Sequence, residues 1–163
     1  MDMTDDEFLF HAMKRDPHAF AFVKSVVFIV SMWDDLYDAD VERPKDDINQ
    51  MMWAALIEIP SNPFYRAHFN TLHTLLRQGI LDWFDANVME AKPGIAREIA
   101  HVARYGLASM IVHCAFLVGG MDWAREVGPH LRLRSQKNSF ADYNAEMEAK
   151  YPQQTKEPKD VPA

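Results

Sequence analysis

Apolar residues in this chain recur three and four apart, in stretches separated by Pro, Gly and Asn, and no stretch alternates apolar with polar residues as a half-buried strand would. That spacing restricts the chain to helices, because only a period of about 3.6 residues gathers such positions on one face. Its 163 residues, 48% of them hydrophobic, supply enough apolar surface for one core. The expectation is an all-α fold: a single-domain antiparallel helical bundle of about five to six helices over residues 1–151, then a flexible polar tail over 152–163.

Local signals place the helices. Thr4 with Glu7 three residues on forms a capping box for a short first helix, and Asp16-Pro17 opens a long one carrying Phe20, Val23, Val27 and Val30, ended by Arg43-Pro44. Asp46 and Asp47 begin a shorter helix with Ile48, Met51, Met52, Ala55 and Leu56, which Pro60 is expected to stop. Asn62-Pro63 starts a third long helix over 63–91, with Phe64, Ala67, Leu72, Leu75, Leu76, Ile80 and Phe84 as its apolar stripe and Gly79 able to bend it. After Lys92-Pro93-Gly94, a fourth helix is expected from Ile95 through Ile99, Val102, Leu107, Met110, Ile111 and Leu117 to Gly119-Gly120. Asp122 then caps a short segment up to Gly128-Pro129, and Asn138 or Ser139 starts a last helix with Phe140, Tyr143 and Met147.

Seventeen Lys and Arg against 24 Asp and Glu give a net charge of -7, which disfavours a nucleic-acid binder. Cys114 is the only cysteine, so no internal disulfide forms, and the acidic start lacks the basic region of a secretory signal. The apolar stretch 19–33 is short and holds Lys24, and 102–121 holds Arg104 and His113, so both read as buried helices and a membrane partner is disfavoured. These features together point to a cytoplasmic protein.

Asp34, Asp35, Asp38 and Asp40 crowd the end of the long apolar helix, where exposed carbonyls already carry partial negative charge. A cation must offset them, whether a metal ion, a Lys or Arg from a neighbouring segment, or salt. Short connections make successive helices antiparallel, which would bring Asp35 and Asp38 to the level of Asp82 and Asp85, with Glu98 and His101 of the next helix at the same mouth. Such an oxygen-rich set suits Mg2+ or Mn2+ and, through it, a small diphosphate ligand. Lys92, Arg97 and Arg104 would clamp the remaining phosphate oxygens, and His101 would act as general acid or base.

The run Asp34-Asp35-Leu36-Tyr37-Asp38 resembles the aspartate-rich DDxxD motif of class I terpenoid synthases, which implies Mg2+ held with a substrate diphosphate near the end of an apolar helix. The pairs Asp35/Asp38 and Asp82/Asp85 are also similar to the paired acidic motifs of all-α nucleotide pyrophosphohydrolases, which implies metal coordination between adjacent helices. Glu98-Ile99-Ala100-His101 has the spacing of a di-iron bundle ligand pair, but no second Glu-x-x-His occurs in the chain.

A reading of a different class stands beside catalysis: a non-enzymatic helical interaction protein, such as an oligomeric adaptor, homo-oligomer or assembly component. Ten Met and twelve per cent aromatic residues supply the apolar contacts that such a protein needs. The four Trp are read as packing residues. The sequence leaves both readings open, and with them whether the chain is an enzyme.

Overall fold

The computed structural model describes residues 3–39 and 41–152; Asp40 and residues 153–163, most of the expected tail, lie outside them. The protein is all-α, built of helices with no strand among the described residues. These residues gather into two compact units. The first takes the chain up to His73 together with Ile111–Gly128, and the second takes Thr74–Met110 with the residues from Pro129 onward.

In the first unit, helix α1 (Asp5–Ala12) starts at the predicted capping box: the Glu7 amide donates to Thr4 Oγ1 at 3.2 Å, and the Thr4 amide donates to Glu7 Oε2 at 2.8 Å. Helix α2 (Pro17–Asp38) starts at Asp16, whose Oδ1 accepts from the His18 and Ala19 amides at 2.8 and 3.0 Å, with Pro17 at the first helical position. Its inner face carries Ala19, Phe22, Val23, Val26 and Met32. Phe22 is fully buried and stacks on Tyr65 with ring centroids 5.2 Å apart. Every other helical segment of the N-terminal half of this unit packs on α2, which makes it the centre of the unit.

Helix α3 (Lys45–Trp53) begins with Asp46 and Asp47 in its first turn, where carboxylates complement the helix dipole. Pro60 does not stop it. A π-helical turn, Ala54–Glu58, precedes the short α4 (Ile59–Ser61), and the Ile59 amide reaches back five residues to the Ala54 carbonyl. The wider turn re-registers the carbonyls ahead of the proline, which relieves the clash and missing bond that Pro60 would otherwise impose on an α-helix. The stop comes at Asn62, whose Oδ1 accepts from the Tyr65 amide at 3.0 Å and whose Nδ2 donates to the His18 carbonyl at 3.0 Å. Helix α5 (Pro63–Ala67) then ends at His68, with φ of -117°, so the expected helix over 63–91 is two helices.

Helix α6 (Phe69–Met89) runs through both units' residues, and from Thr74 onward its buried positions are Gly79, Trp83, Ala86 and, just beyond its end, Glu90. Gly79 serves close approach: a Cβ there would lie 2.7 Å from Leu107 Cδ2. Ile80 and Phe84, expected on the buried stripe, are instead exposed. Helix α7 (Ile95–Ala103) ends in a tight turn at residues 104–106, where the Tyr105 and Gly106 amides bond three residues back. The fourth helix is therefore interrupted before α8 (Leu107–Ser135), which itself breaks at Gly120 with φ of 80°, a conformation that suits glycine. The predicted stop at Gly119-Gly120 is thus a sharp kink. Pro129 lies inside the continuing helix; Val127 and Leu131 beside it are buried, and that burial offsets the one backbone bond lost. Helix α9 (Phe140–Lys150) starts at Ser139, whose Oγ accepts from the Asp142 amide at 3.2 Å.

Phe22→Ala should lower the unfolding free energy by about 3–5 kcal/mol, because it removes a fully buried ring from the centre of the first unit. Val27→Ala, on the exposed side of the same helix, should change it by no more than about 0.5 kcal/mol. Urea unfolding of the two variants checks this; equal losses would mean that α2 does not organise the unit as described.

Candidate functional site

Asp34, Asp35 and Asp38 lie at the end of α2 in the first unit, whereas Asp82, Asp85, Glu98 and His101 belong to the second. Asp35 is offset by an amino-acid cation: Arg43 donates to its Oδ2 through Nε at 2.7 Å and through Nη2. The backbone completes the helix end, with Ala39 in the left-handed region and its amide on the Asp35 carbonyl at 3.1 Å. Asp82 accepts from the Gln78 side-chain amide, one turn back, at 2.7 Å. Asp85, Glu98 and Lys92 are exposed. Among the described residues no three His, Cys, Asp or Glu side chains gather so as to hold a metal ion, so the Mg2+ or Mn2+ and diphosphate expectation draws no support from them.

The polar cluster that does form centres on Glu90, which is 3% exposed at the end of α6. Its Oε2 accepts from Tyr143 Oη at 3.2 Å, and its Oε1 accepts from Lys150 Nζ at 3.2 Å and Tyr151 Oη at 3.0 Å. Arg104 Nη1 approaches Oε2 to 3.8 Å while its guanidinium lies over the Tyr143 ring, 5.3 Å from the centroid. One carboxylate thus ties the end of α6 to the end of α7 and to α9. A buried charge is tolerable only when paired and hydrogen-bonded, and here both conditions are met.

Arg97, expected as a phosphate clamp, is fully buried beside this centre. Its Nε donates to the Glu90 carbonyl at 2.9 Å and its Nη1 to Asn144 Oδ1 at 3.0 Å, so it fastens the α6 terminus to α9. Its Nη2 and the Nδ2 of Asn87 are buried without a hydrogen-bond partner, each at a cost of about 1–3 kcal/mol. Arg104 likewise serves Glu90. His101 Nε2 stands 2.9 Å from Gln136 Nε2 and 3.1 Å from the Asn138 carbonyl. That nitrogen accepts from the first when unprotonated or donates to the second when protonated, and in either form it pins α7 to the segment leading into α9. Its ring lies 5.0 Å from that of Tyr143.

Turning Arg97 and Ala100 inward leaves Ile95, Ile99 and Val102 outward, 70%, 49% and 70% exposed. The apolar stripe of α7 therefore faces away from the buried side, against the expectation that Ile99 and Val102 join a core. In the first unit Met52, Trp53, Leu56 and Ile57 form a second exposed stripe along α3 and the π-helical turn, and Trp53, expected as a packing residue, is 58% exposed. A third stripe, Ile80, Leu81, Phe84 and Val88, runs along α6. The three stripes were present in the sequence as helical periodicity; what was not readable was which way each one faces.

Two outcomes follow from the Glu90 cluster. Glu90→Ala should cost about 3 kcal/mol of unfolding free energy, since it leaves two phenols and two cations without their acceptor. Burial first, and then the Glu90 carboxylate, raise the Tyr143 pKa above its ordinary 10.0, and the same causes raise that of Tyr151. The unfolded chain ionises these phenols near pH 10 while the folded chain keeps them neutral, so their contribution is intact below pH 10 and is lost as pH rises above it. Thermal midpoints measured from pH 8 upward should hold to about pH 10 and then fall, more steeply in the parent than in Tyr143→Phe; identical alkaline limbs would contradict the assignment. No protein-family model matches this chain, and no curated protein or solved structure matches it.

Proposed function

We propose that the chain is a non-enzymatic helical assembly component that binds protein through exposed apolar helix faces. The observation that carries this reading is the stripe of Met52, Trp53, Leu56 and Ile57, at positions i, i+1, i+4 and i+5 of one continuous helical run and each between 44% and 64% exposed. Single exposed apolar side chains are ordinary, but ordered rows of them with a Trp at the centre are typical of binding surfaces. The polar cluster around Glu90 supports the same reading, since its groups are engaged in holding α6, α7 and α9 together.

A membrane span is the competing use for exposed apolar surface. One stretch within Ile95–Lys150 has the composition for it, with mean hydropathy 1.5 over its best window. The helix there is interrupted at residues 104–106 and again at Gly120, and the unbroken piece between them is shorter than the roughly 20 residues a span needs. The interruptions favour a protein partner.

A photo-crosslinking amino acid placed at Trp53, or at Phe84, should yield discrete higher-mass products when the full chain is expressed in cells and irradiated. Trp53→Glu combined with Leu56→Glu should leave the stability of the isolated chain within the small range of surface substitutions, about 0.5 kcal/mol, because both side chains are more than half exposed. Absence of crosslinks from both positions, or unfolding of the double variant, would remove the proposal.

A further inference from the structure

The geometry points to a second copy of this chain as the partner of α6, packed antiparallel across a twofold axis at Leu81; this inference rests on the assembly reading above and names its occupant. On the helical wheel of α6, the side opposite the buried Gly79, Trp83, Ala86 and Glu90 is centred on Leu81 and Val88, with Phe84 and Ile80 to one flank. Arg77 and Asp85 bracket Leu81, four residues before it and four after, and both are exposed. Among the described residues neither side chain has an ion-pair or hydrogen-bond partner.

An isologous antiparallel pair sets position i of one helix at the level of position j of the other, with i and j symmetric about the residue on the axis. An axis at Leu81 brings Leu81 level with its own copy and Arg77 level with the partner copy's Asp85, and the symmetry makes that charge pair twice. The unpartnered charges thus become complementary in this register, on either side of Leu81 meeting its own copy, with Phe84 level with the other copy's Gln78. Ile80, Leu81, Phe84 and Val88, each at least 40% exposed, supply the apolar surface that this pairing buries.

Sedimentation of the full chain at micromolar concentration tests the pairing. The parent should sediment as a dimer, and Arg77→Glu or Asp85→Arg should weaken dimerisation at least about tenfold, since each sets like charges at one level twice over. The exchanged variant, Arg77→Asp with Asp85→Arg, should restore it, with circular dichroism unchanged throughout. A monomeric parent, single variants that dimerise as well as the parent, or an exchanged variant that stays monomeric would each overturn the inference. Crosslinks from Trp53 or Phe84 to a different protein would leave the assembly reading standing while self-pairing fell, and absence of all crosslinks with a monomeric parent would remove both.

Discussion

A carboxylate buried at the end of α6 sets the layout of the second unit. Glu90 is out of water, so charge and hydrogen bonds must come to it, and they come from the end of α7 through Arg104 and from α9 through Tyr143, Lys150 and Tyr151. Arg97 adds a bond to the Glu90 backbone carbonyl and another to Asn144. A helix turns its opposite faces in opposite directions. With Arg97 and Ala100 inside, its isoleucines and Val102 must be outside. The apolar exposure of this unit is therefore a consequence of how its buried charge is satisfied.

The first unit answers a different constraint. Its long helix α2 ends in aspartates, which the helix dipole opposes. Arg43, eight residues beyond Asp35, folds back and supplies the cation, and the left-handed Ala39 caps the carbonyls. At the other end, Asp16 and Asn62 secure the chain by local bonds, the latter also gripping the His18 carbonyl. Between these ends the core is conventional: Phe22 against Tyr65 and Phe64, with Cys114 buried so thoroughly that its thiol is pushed up to about 12.

What was legible in the sequence was what depends on neighbouring residues. Thr4 with Glu7, Asp16-Pro17, Asn62-Pro63 and Ser139 with Asp142 all mark helix starts because a cap is completed within a few residues. The prolines at 60 and 129 were misleading, because whether a proline ends a helix depends on how the surrounding turn and burial respond. The candidate site was less legible still. Arg97 and Arg104 stand out in the sequence as charges beside an acidic group, but Arg104 serves the Glu90 carboxylate, with tyrosines more than fifty residues from it in the chain, and Arg97 binds the Glu90 backbone carbonyl and Asn144. At the end of α2, composition alone does not reveal that the cation beside Asp35 is Arg43, turned back from eight residues further on.

The same charge logic bears on how α6 meets another helix. The chain carries a net charge of -7, which opposes close approach of two copies in general. Association then needs a surface where the charges are balanced, and α6 offers one positive and one negative side chain symmetric about Leu81. A parallel pairing in register would set Arg77 against Arg77 and Asp85 against Asp85, which is repulsive at both levels. The antiparallel pairing converts both repulsions into attractions without moving a residue. Apolar area alone would allow either direction; the two charges make the choice between them.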